Sequence, residues 1–383
     1  MDATATSPIR LEQVTKRYPD GSTAVDALDL DIQAGELCVL VGPSGCGKTT
    51  TMKMINRVIE PTSGHIFLGD EDVTKVDPVQ LRRRIGYVIQ QVGLFPHQNI
   101  RANVATVPRL LGWDKSKTAA RTDELLELVG LPPKTFGNRY PHQLSGGQRQ
   151  RVGVARALAA DPVVLLMDEP FSAVDPIVRE RLQTEFLRLQ EAVRKTIVFV
   201  THDIEEAVRL GDRIAVLSEG AKLEQYDTPA NLLGSPANDF VADFVGSDRG
   251  LKRLAVTTIG ADDLEHPPIV HVNDDLADVR AVLEREGARW AVVLSDNEEL
   301  HGWISRDATN GVGSVVSRGN RMEAWVPANA SLKVAFSTML QLEAGWVAVL
   351  DGPRFLGVLT PESLHAALRR SVDGVEPETA GAV

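Results

Sequence analysis

One stretch constrains this 383-residue chain more than any other. Gly42, Pro43, Ser44, Gly45, Cys46, Gly47, Lys48 and Thr49, followed by Thr50, fit the pattern G-x-x-x-x-G-K-[ST]. Residues 36–41 before it read as a short buried strand, and a helix is expected from Lys48. A strand, a glycine-rich loop and a helix N-terminus in that order make a phosphate cradle. The glycines let backbone N–H groups turn inward, and the helix end adds partial positive charge. On this reading Lys48 reaches the outer phosphates of a nucleoside triphosphate, and the Thr49 hydroxyl ligates Mg²⁺.

Two further pieces fit the same chemistry. Residues 163–167, Val-Val-Leu-Leu-Met, read as a buried strand ending on Asp168 and Glu169. Asp168 suits a Mg²⁺ contact, and Glu169 is then placed to polarise an attacking water. The plainer alternative is an acidic pair that merely ends a strand. Residues 144–148, Leu-Ser-Gly-Gly-Gln, open a helix rich in Arg and Ala. There Ser145, Gly146 and Gly147 make a second anion-binding helix end, with a flexible turn as the alternative. Short apolar runs at Thr196–Val200 and 214–217 alternate with helical stretches. The fold class expected is α/β, with a mainly parallel sheet covered on both faces. Between residues 101 and 129 the pattern is helical, with Leu125, Leu128 and Val129 on one apolar stripe.

These three motifs, in this order, resemble the nucleotide-binding domain of ABC transporters, over residues 1–246. The resemblance implies a P-loop NTPase fold with a parallel core, an antiparallel subdomain and a helical subdomain. It implies ATP and Mg²⁺ as ligands. Residues 144–148, with Gln148 last, correspond to the family signature. Tyr18 looks like the aromatic that stacks on adenine. Gln90, after the strand at 86–89, looks like the glutamine that links Mg²⁺ and water to the membrane subunit, although Gln91 adjoins it. Asp175 resembles the loop residue that crosses the dimer interface, and His202 resembles the switch histidine on the γ-phosphate. In the family one ATP lies between the phosphate loop of one subunit and the signature of its mate. A homodimer is therefore implied, with Glu169 as general base and Lys48, Gln90 and His202 as its catalytic companions. Integral-membrane permease subunits would meet it near residues 90–97.

From about Leu251 an internal repeat appears. Residues 273–294 carry Leu276, Val279 and Leu283 on a helix, then Gly287 and a strand from Trp290. Residues 329–350 carry Leu332, Ala335 and Met339, then Gly345 and a strand from Trp346. Each is followed by a second short strand, 301–305 and 356–360. Neither copy is large enough to bury a core by itself. The unit resembles a CBS pair over 252–370, its halves at about 252–309 and 323–370. Such pairs bind adenine nucleotides or act as sensors, with cyclic di-AMP among the ligands implied. The ligand motif ends G-h-x-[ST]-x-x-D, but the runs here begin at Gly302 and Gly357, and Asp307 and Glu362 stand one place early. A purely structural pair stays open. Residues 371–383 are small, polar and mildly acidic, and a disordered tail is expected.

Composition excludes some rivals. A formal net charge of −11 offers no basic footprint for nucleic acid. No apolar run is long enough to span a bilayer, and residues 1–10 carry no secretory pattern. The only two cysteines, Cys38 and Cys46, lie in or beside the phosphate loop, so a reducing cytoplasm fits. The location expected is the cytoplasmic face of the plasma membrane, reached through a permease.

An ABC ATPase followed by a CBS pair is similar to the ATP subunit of quaternary-amine importers, which carry glycine betaine, choline, carnitine or proline betaine. An extracytoplasmic solute-binding protein would choose the cargo. The alternatives are an ATPase for amino acid, polyamine or metal uptake, or a soluble non-transport ABC ATPase. Against the last, only 96 positions separate Lys48 from Leu144, with no heptad array between them.

Overall fold

The computed structural model describes residues 6–89, 93–172 and 174–373. Two compact units divide the chain. The first comprises Met1–Leu232 and Pro236–Gly246, and the second comprises Leu233–Ser235 and Ser247–Val383.

The first unit holds β1 (Ile9–Arg17), β2 (Thr23–Ile32), β3 (Leu37–Val41), β4 (Ser63–Leu68), β5 (Glu71–Asp72) and β6 (Ile85–Val88). It continues with β7 (Val164–Asp168), β8 (Thr196–Val200), β9 (Arg213–Leu217) and β10 (Leu223–Asp227). The principal sheet runs β10-β9-β3-β8-β7-β6, and only β10 is antiparallel. Its central strands, Leu-Cys-Val-Leu-Val, Val-Leu-Leu-Met-Asp and Thr-Ile-Val-Phe-Val, are buried at every residue. That is the pattern of parallel strands covered on both faces. One face packs Leu40, Leu166 and Val198 against Met52, Met54 and the smaller antiparallel sheet β2-β1-β4-β5. On another side Phe171, Phe186 and Phe199 meet with ring centroids 5.9–6.2 Å apart.

Four helices frame the functional parts of this unit: α1 (Lys48–Ile55), α2 (Lys115–Leu128), α3 (Gly146–Leu158) and α4 (Pro176–Val193). The expected stripe on α2 needs a correction. Leu125, Leu126 and Val129 are buried, but Leu128 is 40% exposed. A hundred degrees of helical rotation separates neighbours, and Leu126 rather than Leu128 completes the inward face. The expected strands shift by one or two residues at their ends. Asp168 lies inside β7 rather than after it.

In the second unit, β11 (Ile269–His271), α5 (Leu276–Arg285), β12 (Trp290–Leu294), β13 (Leu300–Ser305) and β14 (Asn320–Arg321) form one copy. The other copy is β15 (Trp325–Pro327), α6 (Leu332–Gln341), β16 (Val347–Asp351), β17 (Arg354–Leu359) and α7 (Pro361–Asp373). In each copy a parallel pair embraces the helix and an antiparallel strand follows. Leu276, Val279 and Leu283 are buried on α5, and Leu332, Ala335 and Met339 on α6. Trp290 and Trp346 stack with centroids 4.4 Å apart and planes at 12°. Around them Val292, Leu294 and Val358 close a seam shared by the copies. Helix α7 runs through Asp373, past the start expected for a tail at 371. Among the described residues, no helix is long and apolar enough to cross a membrane.

Candidate active site

Parallel strands align their carboxyl ends, and ligands of α/β sheets gather there. Register puts Leu40 of β3 opposite Val200 of β8, and Val200 opposite Asp168 of β7. The phosphate loop after Val41, Glu169 after Asp168, and His202 after Val200 therefore emerge side by side.

The loop's shape depends on two glycines. Gly42 has φ 150°, and a Cβ there would stand 2.1 Å from the Leu217 carbonyl oxygen. Gly47, the N-cap of α1, has φ 110°, and its Cβ would stand 2.3 Å from the Ala24 carbonyl oxygen. No side chain fits either place, so the backbone itself forms the cradle. Pro43, Ser44 and Gly45 are its exposed crest, and Cys46 is buried beneath. Lys48 is also buried. Its ammonium donates to the carbonyls of Gly42 at 2.7 Å and Pro43 at 2.8 Å, and lies 3.5 Å from Cys46 Sγ. Among the described residues no carboxylate makes an ion pair with it. A buried ammonium whose hydrogen-bond partners are two carbonyls and a sulfur, none of them an anion, leaves its pairing to a phosphate. The cradle fits ATP on both counts.

Thr49 donates its hydroxyl to Asp168 Oδ1 at 3.0 Å. Burial pushes the Asp168 carboxyl up from its ordinary range; the Thr49 hydrogen bond opposes this, and the neighbouring Glu169 adds to it. Two hard oxygen donors beside a phosphate cradle suit Mg²⁺, which keeps several waters and takes the rest of its shell from phosphates. Among the described residues no group of three or more His, Cys, Asp or Glu side chains converges as a metal cage.

Glu169 adopts φ 44°, the left-handed region that a glutamate seldom enters. Its N–H donates to the Val200 carbonyl at 3.0 Å, and its own carbonyl accepts from Ser172 Oγ at 2.9 Å. This hook turns the chain sharply out of β7 and sets the carboxylate beside His202, with Nδ1 to Oε1 at 3.2 Å. Strain of this kind persists where surrounding structure over-determines it, often at sites of chemistry. Just after His202, Asp203 caps the next helix by accepting from the N–H groups of Glu205 and Glu206. Sequence reading gives Asp203 no part, although an Asp with a Glu three places on is a capping signal.

Other expected residues lie apart from this cluster. Ser145 caps α3; its hydroxyl accepts from the Gln148 N–H at 3.2 Å, and the Gln148 side chain accepts from the Ser145 N–H at 2.9 Å. Ser145 and Gly146 are exposed, while Gly147 is buried, and a Cβ there would stand 3.3 Å from Leu182 and 3.4 Å from Val178. No hydrogen bond or ion pair among the described residues joins 145–148 to Lys48, Thr49 or Asp168. Asp175 is exposed and caps α4. Tyr18 is half-buried in the turn between β1 and β2, with Lys16 Nζ 5.4 Å from its ring centroid. Thr50 lies in the first turn of α1. Gln90 and its neighbour Gln91 fall outside the described residues. Phe95 is 40% exposed, so it is no part of the core.

The ABC transporter family model matches residues 25–172, from within β2 to just past Glu169. Osmoprotectant import ATP-binding protein OsmV of Salmonella typhimurium is 44% identical over 90% of this chain and 91% of its own length. The chain belongs to the ABC osmoprotectant-importer family of ATP-binding proteins. Glycine betaine/carnitine/choline transport ATP-binding protein OpuCA of Bacillus subtilis, another member, is also 44% identical, over 96% of this chain and 98% of its own. The ABC cassette is seen in a solved structure too. The ATP-binding cassette MJ0796, a dimer in a post-hydrolysis state bound to ADP and Pi, is 35% identical with a TM-score of 0.52. It covers 58% of this chain and 98% of its own, so the likeness is confined to the ABC portion.

Proposed function

We propose that two copies of this chain jointly enclose ATP, and that its hydrolysis drives import of a quaternary-amine osmolyte through separate permease subunits. The contact of Glu169 with His202, beside the linked pair Thr49–Asp168, carries this reading. Glu169 accepts the proton of the attacking water, and His202 holds water and γ-phosphate in line. Lys48 and the loop N–H groups hold the phosphates. Thr49, Asp168 and Gln90 would hold Mg²⁺, which supplies charge neutralisation when bound. Tyr18 stacks on the base. Ser145, Gly146, Gly147 and Gln148 of a second copy complete the cage, and Asp175 lies at the border between copies. The exposure of Ser145 and Gly146 at the head of α3 supports supply to a partner. The chain then works at the cytoplasmic membrane face, where exposed Phe95 suits a permease contact.

The cargo reading rests on similarity across nearly the whole chain, in relatives named for osmoprotectant, glycine betaine, carnitine and choline transport. Reconstitution in vesicles with its permease subunits and solute-binding protein tests this. Uptake of radiolabelled glycine betaine, choline or carnitine that needs ATP inside is the expected result. Uptake of spermidine or an amino acid instead overturns the cargo.

We further infer that the second unit is a regulatory CBS pair. The doubled strand–helix–strand–strand unit and the stacked tryptophans support it. Where the ligand motif has Asp, this chain departs: Asp307 and Glu362 are exposed, and the Thr360 hydroxyl bonds Glu265. Sensing through charge contacts is therefore favoured over a nucleoside, cyclic di-AMP included. Screening lengths drop from about 10 Å at 0.1 M salt to about 3 Å at 1 M. Deleting 252–383 is expected to flatten the salt response of transport, and an unchanged response overturns the regulatory reading.

A further inference from the structure

The side chain of His202 is 59% exposed, and its one hydrogen-bond partner among the described residues is Glu169. Packing therefore does little to aim the imidazole. Its direction follows from the backbone of residues 201–203, where the chain leaves β8. The sheet fixes where this turn begins, because the Thr201 N–H donates to the Leu40 carbonyl at 3.2 Å. Past that point the turn is held from the other side.

Glu206, on the short helix Ile204–Leu210, is buried. Gln183 of α4, also buried, donates from Nε2 to Glu206 Oε1 at 2.9 Å. The buried Thr201 hydroxyl donates to the same carboxylate. In turn the Thr201 oxygen accepts from the Asp203 N–H at 3.1 Å. The residues on either side of His202 are thus joined to Glu206, and Glu206 is joined to α4. Arg179, one turn before Gln183, adds a looser contact, with Nη1 3.8 Å from Asp203 Oδ2. Burial pushes the Glu206 carboxyl up, and the hydrogen bonds from Thr201 and Gln183 oppose that shift. A buried carboxyl is unfavourable unless its hydrogen bonds are met, and a leucine would fill the place at less cost. What the carboxyl adds is geometry, since a satisfied polar network specifies one arrangement.

We propose that Glu206 is a positioning residue for ATP hydrolysis: with Thr201 and Gln183 it fixes the backbone on both sides of His202 and ties it to α4. It acts only through His202, so it rests on the part given to that histidine above. Asp175 heads α4, and Arg179 of the same helix donates to the Val174 carbonyl at 3.1 Å. The tether therefore also joins the imidazole to the border between copies.

The test compares the full chain with Glu206→Leu, Glu206→Gln and His202→Ala, by steady-state ATP hydrolysis and by NMR of ¹³C-labelled histidine rings. The His202 signal is assigned by its loss in His202→Ala. Glu206→Leu is expected to lower kcat by about 10- to 100-fold, the scale on which small misplacements act, with KM for ATP changed less than about twofold. It is also expected to shift or broaden the His202 ring signal. Glu206→Gln keeps an acceptor for Gln183 and a partner for Thr201, and is expected to restore most of the rate and the original signal. Urea unfolding of each variant, with kcat referred to nucleotide-binding sites, counts a folding defect separately. A normal rate in Glu206→Leu overturns the proposal. So does a lowered rate with the His202 signal unmoved, which leaves the part of His202 itself standing. Normal hydrolysis by His202→Ala overturns both.

Discussion

His202 Nδ1 and Glu169 Oε1 stand 3.2 Å apart, each on the residue or two that follow adjacent parallel strands. The sheet, not a loop, therefore fixes their separation. Both side chains can meet a water above the strand ends without either element having to move.

Glu169→Gln keeps the shape and removes the base. ATP turnover is expected to fall by about 10²- to 10⁴-fold, the usual worth of general base catalysis. Nucleotide is still expected to bind. Phosphate release and binding of a fluorescent ATP analogue check the two halves, and normal release rules out the role given to Glu169.

Lys48→Ala acts earlier. It removes a buried ammonium held by the carbonyls of Gly42 and Pro43 and by Cys46 Sγ. Loss of a charge-assisted hydrogen bond, about 1.5–3 kcal/mol, weakens ATP binding by roughly 10- to 100-fold. Equilibrium titration reads this directly, and unaltered affinity counts against the cradle.

Gly47→Ala puts a methyl 2.3 Å from the Ala24 carbonyl oxygen at φ 110°. A loss of about 1–3 kcal/mol in folding stability is expected. Denaturant titration measures it. Gly45→Ala serves as comparison, because its Cβ would meet nothing within 4 Å, although its φ of 84° also strains a side chain.

Asp168 gives a prediction about pH. Its folded-state pKa lies above the ordinary value of 3.8, chiefly through burial. The native state thus holds the proton more tightly than the unfolded chain. Stability is lost as pH rises from about that ordinary value through the raised one, and stays lost above it. Asp168→Asn is expected to raise the melting temperature of the nucleotide-free protein at pH 7, with the gain shrinking near pH 4. The same change should reduce Mg²⁺-dependent turnover. A lower melting temperature at pH 7 refutes the electrostatic account.

Trp346→Ala removes one partner of the 4.4 Å stack. A half-buried indole in an aromatic pair is worth about 2 kcal/mol. Urea unfolding followed by the fluorescence of the remaining tryptophans checks the loss, and Trp346→Phe is expected to restore most of it.

Much of this architecture is legible from residue patterns, because buried parallel strands and phosphate loops write themselves locally. Thr196–Val200 and Trp290–Leu294 show the bounds expected of them. What is not legible depends on distant partners. Nothing in the local sequence tells that the carbonyls of Leu217 and Ala24 crowd Gly42 and Gly47. The left-handed backbone of Glu169 is equally hidden, since neighbouring strands impose it. Leu128 misleads because hydrophobicity alone does not reveal which apolar residue a helix leaves outside. Asp203 escapes a reading centred on chemistry, because its capping role is purely structural and the histidine beside it carries the stronger signal.

The reciprocal bonds between Ser145 and Gln148 complete the head of α3 before anything touches it. Two of the donors that a helix start leaves open are already satisfied. Whatever meets this turn meets a rigid, preassembled surface. Its capture is then timed by collision and orientation, as for two stiff bodies, and not by any local refolding of the turn itself.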